Sequence, residues 1–257
     1  MLVLFVLVIF VLGLMVGSFL NVVIYRVPAK RSVVTPRSAC PSCGTELANR
    51  DNVPVLSWLV LRGKCRTCST SISARYPLVE LGTGVAFALL AVRFGPDAAL
   101  PAYLFLAAGL IALSAIDLDT YLLPKAVVYP TLGLTAVSLL VAAVVASDGR
   151  GVAEAAAGGV IAFAVLFVIH FVSPRGMGFG DVRLAGVLGV ALGWIELPVV
   201  AVGLFLAFLL ASVVGVALIA TGVRGRKDKV PFGPFLALGA YLAFFVGTPI
   251  IDLYLGR

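Results

Sequence analysis

Long apolar stretches separated by short polar breaks run along almost the whole chain. Each stretch is bounded by charged residues, Pro or Gly, and eight of them cover about residues 1–25, 77–94, 98–116, 123–146, 152–172, 182–197, 198–221 and 231–254. Because a helix needs about 20 apolar residues to cross the hydrocarbon core of a bilayer, these stretches are typical of membrane spans. The pattern predicts an all-α polytopic membrane protein with about eight transmembrane helices.

The composition excludes an ordinary soluble domain. Hydrophobic residues make up 61% of the 257 positions and charged residues 12%, whereas about 25% charged residues are usual in soluble proteins. The first stretch has no basic segment ahead of it and no small-residue cleavage site. We therefore expect residues 1–25 to be retained as the first transmembrane helix and not removed as a signal peptide.

One long polar insert, residues 26–76, interrupts the apolar pattern after the first stretch. It carries nine Lys and Arg residues against two acids, so the positive-inside rule places it in the cytosol. Alternating spans from there put 16 of the 19 basic residues on the same side, the exceptions being Arg93, Arg150 and Arg257. The net charge of +7 is therefore explained by membrane topology and by attraction of basic residues to the lipid bilayer. It does not indicate nucleic-acid binding.

All four cysteines of the chain lie in this insert, as two Cys-x-x-Cys pairs. Cys40 and Cys43 form the first pair, Cys65 and Cys68 form the second, and 21 residues separate the pairs. Two such pairs in one short segment are typical of a structural zinc site with four thiolate ligands. Two disulfides are the alternative, but a cytosolic insert lies in a reducing compartment. We predict a zinc-ribbon-like insert that depends on the metal for its folding.

Two acidic residues fall at the ends of apolar stretches, where an ionisable group is costly and is a functional candidate. Asp117 lies at the end of the third stretch, and Asp181 follows the glycine-rich segment 176–180 at the start of the sixth. Because three and five crossings end on the same side, both carboxylates are expected at one depth, facing the cytosol. Two carboxylates in contact share a proton, and such a pair activates water against an amide carbonyl.

Simpler interpretations of these residues stay open. Asp is a common helix N-cap, so Asp181 would begin the sixth helix without any chemistry. Asp117 and Asp119 would lie in a turn that Pro124 closes, and Asp119 fits that description better than Asp117 does. His170 lies in an apolar run shortly before the glycine-rich segment, and we expect it to be a structural residue of a packed helix.

The order and spacing of several motifs together resemble one known family, the bacterial prepilin peptidases of the GxGD aspartyl protease group. The matching positions run through nearly the whole chain and comprise residues 17–26, the two Cys pairs, 51–58, 73–80, Asp117, 178–181 and 231–235. Lys125 departs from the family pattern, in which an acid or Asn often follows the Pro. This departure leaves Asp117 and Asp181 unaffected.

The resemblance implies an enzyme of the bacterial cytoplasmic membrane that removes the basic leader of type IV prepilins or type II secretion pseudopilins. Asp117 and Asp181 match the family's catalytic pair, so residues 77–257 would form the transmembrane catalytic domain. Members that carry the Cys-bearing insert also methylate the new N-terminus with S-adenosylmethionine, and we expect this second activity here. No glycine-rich Rossmann fingerprint marks a site for that cofactor.

Two other classes of function compete with this interpretation. A membrane transporter could relay protons or carry a cation through Asp117 and Asp181, although the internal repeats typical of transporters are not visible. A scaffold could recruit a partner through the zinc insert, with the acids serving as caps. Arg75 and Glu80 match the family pattern without an evident role; we expect Arg75 to be structural, and Glu80 fits methylation and packing equally well.

Overall fold

The computed structural model of the protein describes residues 1–174, 176–223, 225 and 228–256. Five of the basic residues in the charge count, Arg175, Arg224, Arg226, Lys227 and Arg257, lie outside this part. The described residues form helices and contain no strand. The helices are α1 (Leu2–Arg26), α2 (Leu56–Val60), α3 (Arg75–Phe94), α4 (Leu100–Thr120), α5 (Lys125–Ala146), α6 (Gly149–Val172), α7 (Phe179–Ile195), α8 (Leu197–Ala220) and α9 (Gly233–Leu255).

The eight predicted apolar segments correspond to eight of these helices, with ends that differ by at most four residues. Seven of them are long and apolar enough to cross a membrane. The exception is α7, whose 17 residues give a length of about 26 Å against a hydrocarbon core of about 30 Å. The prediction of an all-α polytopic membrane protein is confirmed.

The chain divides into two compact units, Met1–Leu100 and Pro101–Arg257. In the first unit, α1 packs along α3 through small residues. A Cβ added to Gly13 would lie 2.8 Å from Gly84 Cα, and one added to Gly17 would lie 2.7 Å from Glu80 Cα. Without a driving force from water, membrane helices associate where such small residues let their backbones approach closely.

The insert between α1 and α3 contains two similar turns, one around each Cys pair. In the first, Cys40 N–H donates to Thr45 O at 2.9 Å, and in the second, Cys65 N–H donates to Thr70 O at 2.8 Å. Isolated antiparallel bridges flank the turns, at Ala39–Glu46 and Lys64–Ser71. A short 3₁₀ turn (Asn49–Asp51) and α2 connect them.

Helix α7 is the centre of the second unit. It contacts α5, α6, α8 and α9, and buried residues occur along its whole length. The closest approach is to α6, where Gly189 lies directly against the Gly158 carbonyl and Gly193 against the Glu154 carbonyl. Because no side chain separates the two backbones there, a helix too short to span on its own is held within its neighbours.

Helix α4 joins this unit through two contacts. Gly109 lies against the Thr131 side chain of α5. The Tyr103 ring packs edge-on against Phe244 of α9, with centroids 5.1 Å apart. These contacts hold the first half of α4 against α5 and α9.

Candidate functional site

Asp117 lies in the last turn of α4 and is buried, with 5% of its surface exposed. Its Oδ2 atom accepts a hydrogen bond of 3.0 Å from the backbone N–H of Gly233, the first residue of α9. The N-terminus of a helix carries a partial positive charge, so this position favours the carboxylate. A Cβ at Gly233 would lie 2.8 Å from Asp117 Oδ2, which explains why a glycine stands there.

Asp181 lies in the first turn of α7 and is 8% exposed. The residue at the N-cap position is Gly178, so the interpretation of Asp181 as the N-cap residue is wrong. Because Asp181 follows the cap by three positions, its side chain points back toward it. A Cβ on Gly178 would lie 3.2 Å from Asp181 Oδ2, so the glycine leaves the space around this carboxylate open.

The side chain of Leu123 connects the surroundings of the two acids. A Cβ at Gly180 would lie 3.0 Å from Leu123 Cβ, and one at Gly233 would lie 3.1 Å from Leu123 Cδ2. The start of α7 and the start of α9 therefore meet the end of α4 at one end of the helical unit. Asp117 at the end of α4 and Asp181 at the start of α7 therefore both lie at this end, beside residues that contact Leu123.

Asp119 does not join this pair. Helix α4 continues to Thr120, so Asp117 and Asp119 are both helical and the turn begins only at Tyr121, which has a φ of 55°. The Asp119 side chain is exposed, whereas Asp117 is buried. The interpretation of these acids as turn residues is therefore wrong for both.

His170 lies in the last turn of α6 and contacts the glycine-rich segment. Its Nδ1 atom is 2.8 Å from the backbone oxygen of Met177. A carbonyl oxygen only accepts, so Nδ1 carries the proton and donates. The imidazole also packs against Phe179, with ring centroids 5.5 Å apart, and the Arg183 guanidinium lies 4.8 Å from the centroid of the same ring. These contacts hold the backbone just ahead of Asp181.

The four cysteines of the insert form one cluster. Their sulfur atoms all lie within 4.8 Å of one another, and Cys40 Sγ is 3.8 Å from Cys68 Sγ. Tetrahedral zinc with Zn–S bonds of about 2.3 Å places its sulfurs about 3.8 Å apart, so this spacing fits one zinc ion. All four residues are free thiols, not disulfides.

The turns lower the pKa of Cys43, Cys65 and Cys68 and so favour their thiolates, whereas the pKa of Cys40 is raised although the Cys43 and Ser42 N–H groups act to lower it. Backbone N–H groups of Cys68 and Thr67 lower the pKa of Cys65, and the hydrogen bond with Thr45 lowers the pKa of Cys43. Gly44 and Ser69 follow the two pairs and have φ values of 70° and 57°. This left-handed backbone conformation lets the chain reverse its direction within each short turn. Hydrogen-bond donors directed at sulfur are what a metal-binding thiolate needs.

The family motif 231–235 was visible in the sequence, but the structural role of Gly233 and Leu123 beside the acids was not. The only signal for Gly233 was a Gly-Pro pair at the start of an apolar stretch. Such a pair predicts where a helix begins but does not indicate which residue that helix start contacts. Glu80 is also buried, and its Oε2 atom accepts the Val55 N–H at 2.7 Å.

Comparisons with known proteins show the family of the chain. Residues 11–94 match the Bacterial Peptidase A24 N-terminal domain, and residues 104–220 match the Type IV leader peptidase family. A Burkholderia pseudomallei protein named prepilin leader peptidase/N-methyltransferase is 40% identical, covering 93% of this chain and 84% of the relative. Proteins of the same name from Stutzerimonas stutzeri and Pseudomonas aeruginosa are 37% and 35% identical over 98% of this chain, and over 94% and 93% of their own lengths. No solved structure matches.

Proposed function

The chain belongs to the type IV leader peptidase family, and from this premise we propose that Asp117 and Asp181 are the catalytic pair with which it cleaves prepilins. The observation that carries the assignment is the shared position of the two buried carboxylates at one end of the helical unit. Asp119, the neighbouring acid, is exposed and has no part in the pair.

The chemistry follows from two carboxyl groups that hold one proton between them. The ionised carboxylate takes a proton from a water molecule, whose oxygen attacks the carbonyl carbon of the scissile peptide. The protonated carboxyl gives its proton to the carbonyl oxygen, and the tetrahedral intermediate forms. Proton transfer to the leaving nitrogen breaks the C–N bond, releasing the leader with a free carboxyl group and the pilin with a new amine. We assign these steps to the pair as a unit.

The glycines around the pair leave room for an extended substrate backbone. Gly178 and Gly233 both lie against a carboxylate oxygen of the pair, so neither position carries a side chain that would cover it. Irregular backbone at membrane depth occurs where it is buried in protein or lines a wet cavity; within the segment 176–178, Met177 is buried and its carbonyl contacts His170 of α6. The apolar helix of a prepilin or pseudopilin would approach the pair from within the membrane, and its basic leader would lie on the cytosolic side.

We assign the site and the insert to the cytosolic face of the bacterial inner membrane. The charge distribution in the sequence supports this orientation, because the insert carries nine basic residues. The common position of the end of α4 and the starts of α7 and α9 agrees with alternating crossings. In functional terms the chain divides into a first span (1–25), an insert (26–76) and a transmembrane catalytic domain (77–257).

A zinc ion held by Cys40, Cys43, Cys65 and Cys68 would stabilise the insert. The sulfur spacing and the N–H groups directed at Cys65 support this ligand set. With four thiolates around it, a zinc ion has no open coordination position, so its contribution is structural. Binding of the metal would then be coupled to folding of the segment.

The second activity is N-methylation of the amine that cleavage exposes, with S-adenosylmethionine as the methyl donor. The donor supplies an electrophilic methyl group, and the protein must bind the donor and present the amine in its neutral form. The residues that fit the donor are those of a cleft in the first unit, described below. The names of the relatives support this activity, and the Cys-bearing insert accompanies it here.

The test is a purified-protein assay on a peptide with a basic leader, a Gly-Phe junction and an apolar tail. Mass spectrometry should find cleavage after Gly without any added methyl donor, and an added mass of one methyl group on the new N-terminus when donor is present. Uncut peptide would contradict the peptidase assignment. A cut but unmethylated product in the presence of donor would contradict the second activity alone.

A further inference from the structure

A cleft in the unit Met1–Leu100 opens between the insert and the start of α3. Its empty volume is about 720 Å³, including the mouth that opens to solvent. Its polar and aromatic lining includes Glu46, Asp51, Asn52, Trp58, Tyr76 and Glu80.

The charge of this cleft is opposite to that of the segment around it. Residues 1–100 contain four acids, and three of them, Glu46, Asp51 and Glu80, line the cleft together with one basic residue, Arg66. The insert as a whole carries nine basic residues. A cleft that concentrates the negative charge of a basic segment favours a cationic ligand.

We propose that this cleft binds the methyl donor S-adenosylmethionine, with Glu80 recognising its cationic part. The inference rests on the proposed methylation activity. S-Adenosylmethionine carries a positively charged sulfonium beside an α-amino group, and its adenine is a flat aromatic ring. The lining offers a counterpart for both features, carboxylates for the positive charge and aromatic rings for the adenine.

Glu80 is the acid best placed for this role. It is 9% exposed, and Oε2 accepts the Val55 N–H at 2.7 Å, which fixes the direction of the carboxylate. A buried carboxylate with a fixed direction interacts strongly with a cation, because little water screens the pair. Asp51 is already engaged, since Arg66 donates to both of its oxygens at 2.6–3.1 Å.

Trp58 supplies an aromatic wall held in one orientation. Its Nε1 atom donates to the backbone oxygen of Ile72 at 3.0 Å. Gly63, with a φ of 67°, lies against the ring so closely that an added Cβ would be 2.9 Å from Trp58 Cζ2. Stacking of a base on an aromatic side chain tolerates any base with a flat face, so a fixed indole is a suitable support for adenine.

A metal ion and a peptide fit this cleft less well than the donor does. Among the described residues, the only His, Cys, Asp or Glu side chains grouped closely enough to hold a metal ion are the four cysteines, so Asp51 and Glu80 do not form a metal site. The basic leader of a prepilin is an extended chain with several charges, whereas this lining presents two buried carboxyl side chains, one of them paired with Arg66, together with aromatic rings. A compact cation joined to a flat ring matches the carboxylates and the aromatic rings of this lining.

The experiment measures equilibrium binding of S-adenosylmethionine and of S-adenosylhomocysteine, which lacks the sulfonium charge, to the purified full-length protein. Glu80→Gln keeps the acceptor for Val55 N–H and removes the charge. It should weaken binding of S-adenosylmethionine at least about tenfold and that of S-adenosylhomocysteine much less. Asp97→Asn is the matched control, because Asp97 is the fourth acid of the unit and lies outside the cleft; its binding should equal that of the wild type.

Zinc content and thermal unfolding of Glu80→Gln in detergent should match those of the wild type, which shows that the unit Met1–Leu100 of the variant is folded. Unchanged S-adenosylmethionine binding in Glu80→Gln would overturn the proposed site and leave the methylation activity standing. A wild-type protein that neither binds the donor nor methylates the peptide would overturn both. Photo-crosslinking of the donor to the wild-type protein gives a readout independent of any variant: the label should fall within residues 45–80, and a label in residues 101–257 would overturn the site.

Discussion

Asp117 and Gly233 are joined by a hydrogen bond of 3.0 Å between residues that are 116 positions apart in the chain. The bond ties a buried carboxylate at the end of α4 to the first turn of α9. It holds Oδ2 of Asp117 against the backbone of Gly233 and so fixes the direction of the carboxylate. The orientation of one proposed catalytic acid therefore depends on where another helix begins.

Replacing Gly233 by Ala should impair cleavage more than it impairs folding. The added Cβ would lie 2.8 Å from Asp117 Oδ2 and 3.1 Å from Leu123 Cδ2, so the carboxylate must move. Displacement of a reacting group by about 1 Å costs on the order of 100-fold in rate. We expect kcat on the peptide substrate to fall by about 10- to 100-fold, measured with initial rates at saturating peptide.

Gly133→Ala in α5 is the matched control for this substitution, because no atom lies within 4 Å of a Cβ built there. Its cleavage rate should equal that of the wild type. Equal rates for Gly233→Ala and Gly133→Ala would contradict the positioning of Asp117 by the start of α9.

Replacing Gly189 by Ala should destabilise the second unit. The new methyl group would overlap the Gly158 carbonyl, which is backbone and has no room to turn away. Overpacking of a tight contact usually costs about 1–3 kcal/mol, so thermal unfolding in detergent should occur several degrees lower. Gly215→Ala in α8, with open space around its Cβ, should unfold at the wild-type temperature or above it. Identical melting of both variants would show that α6 and α7 do not pack through this glycine.

Replacing Cys65 by Ser should remove bound zinc. Cys65 is buried in the cluster and receives backbone N–H groups that favour its thiolate, so its sulfur is central to the ligand set. Metal analysis should find about one zinc per wild-type chain and little in the variant, and proteolysis of residues 26–76 should become faster. Ser42→Ala changes an exposed residue inside the first turn and should keep the metal. A wild-type protein that contains no metal, or holds the four sulfurs as disulfides, would refute the site.

Replacing His170 by Leu should slow cleavage through the glycine-rich segment. Leu cannot donate to the Met177 carbonyl, so the backbone ahead of Asp181 loses its tie to α6. A hydrogen bond contributes about 0.5–1.5 kcal/mol, so we expect up to about a tenfold fall in kcat with little change in KM. His170→Asn, whose amide can donate from a similar position, should recover most of the rate. An exposed neighbour, Phe171→Leu, should have no effect. Equal loss in His170→Leu and His170→Asn would show that the ring, and not the hydrogen bond, matters.

The sequence predicted the elements of this fold because each apolar stretch is long and has clear polar ends. It also predicted the Cys cluster, because both pairs lie in one segment and their spacing is typical of zinc ligands. The charge count and the alternation of spans indicated that Asp117 and Asp181 should occur at one depth. These features depend on local composition or on simple counting along the chain.

The immediate surroundings of the acids could not be predicted in the same way. The contact of Gly233 with Asp117, the position of Leu123 between Gly180 and Gly233, and the hydrogen bond from His170 all depend on how helices pack. Periodicity carries no information about these pairings. The acid-lined cleft beside Glu80 is another case, because its walls come from separate turns of the insert and from α3. The pattern predicted the short apolar segment at 182–197, which forms a helix of 17 residues, but it did not predict that this helix contacts four others.

The most direct test of the central claim compares three conservative variants in one cleavage assay: Asp117→Asn, Asp181→Asn and Asp119→Asn. Each replaces a carboxylate by an amide of the same shape, and the three differ in whether the residue belongs to the buried pair. The account predicts that Asp117→Asn and Asp181→Asn each abolish release of the leader while the protein stays folded and keeps its zinc, and that Asp119→Asn cleaves at the wild-type rate. Cleavage that survives in either Asp117→Asn or Asp181→Asn would contradict the pair.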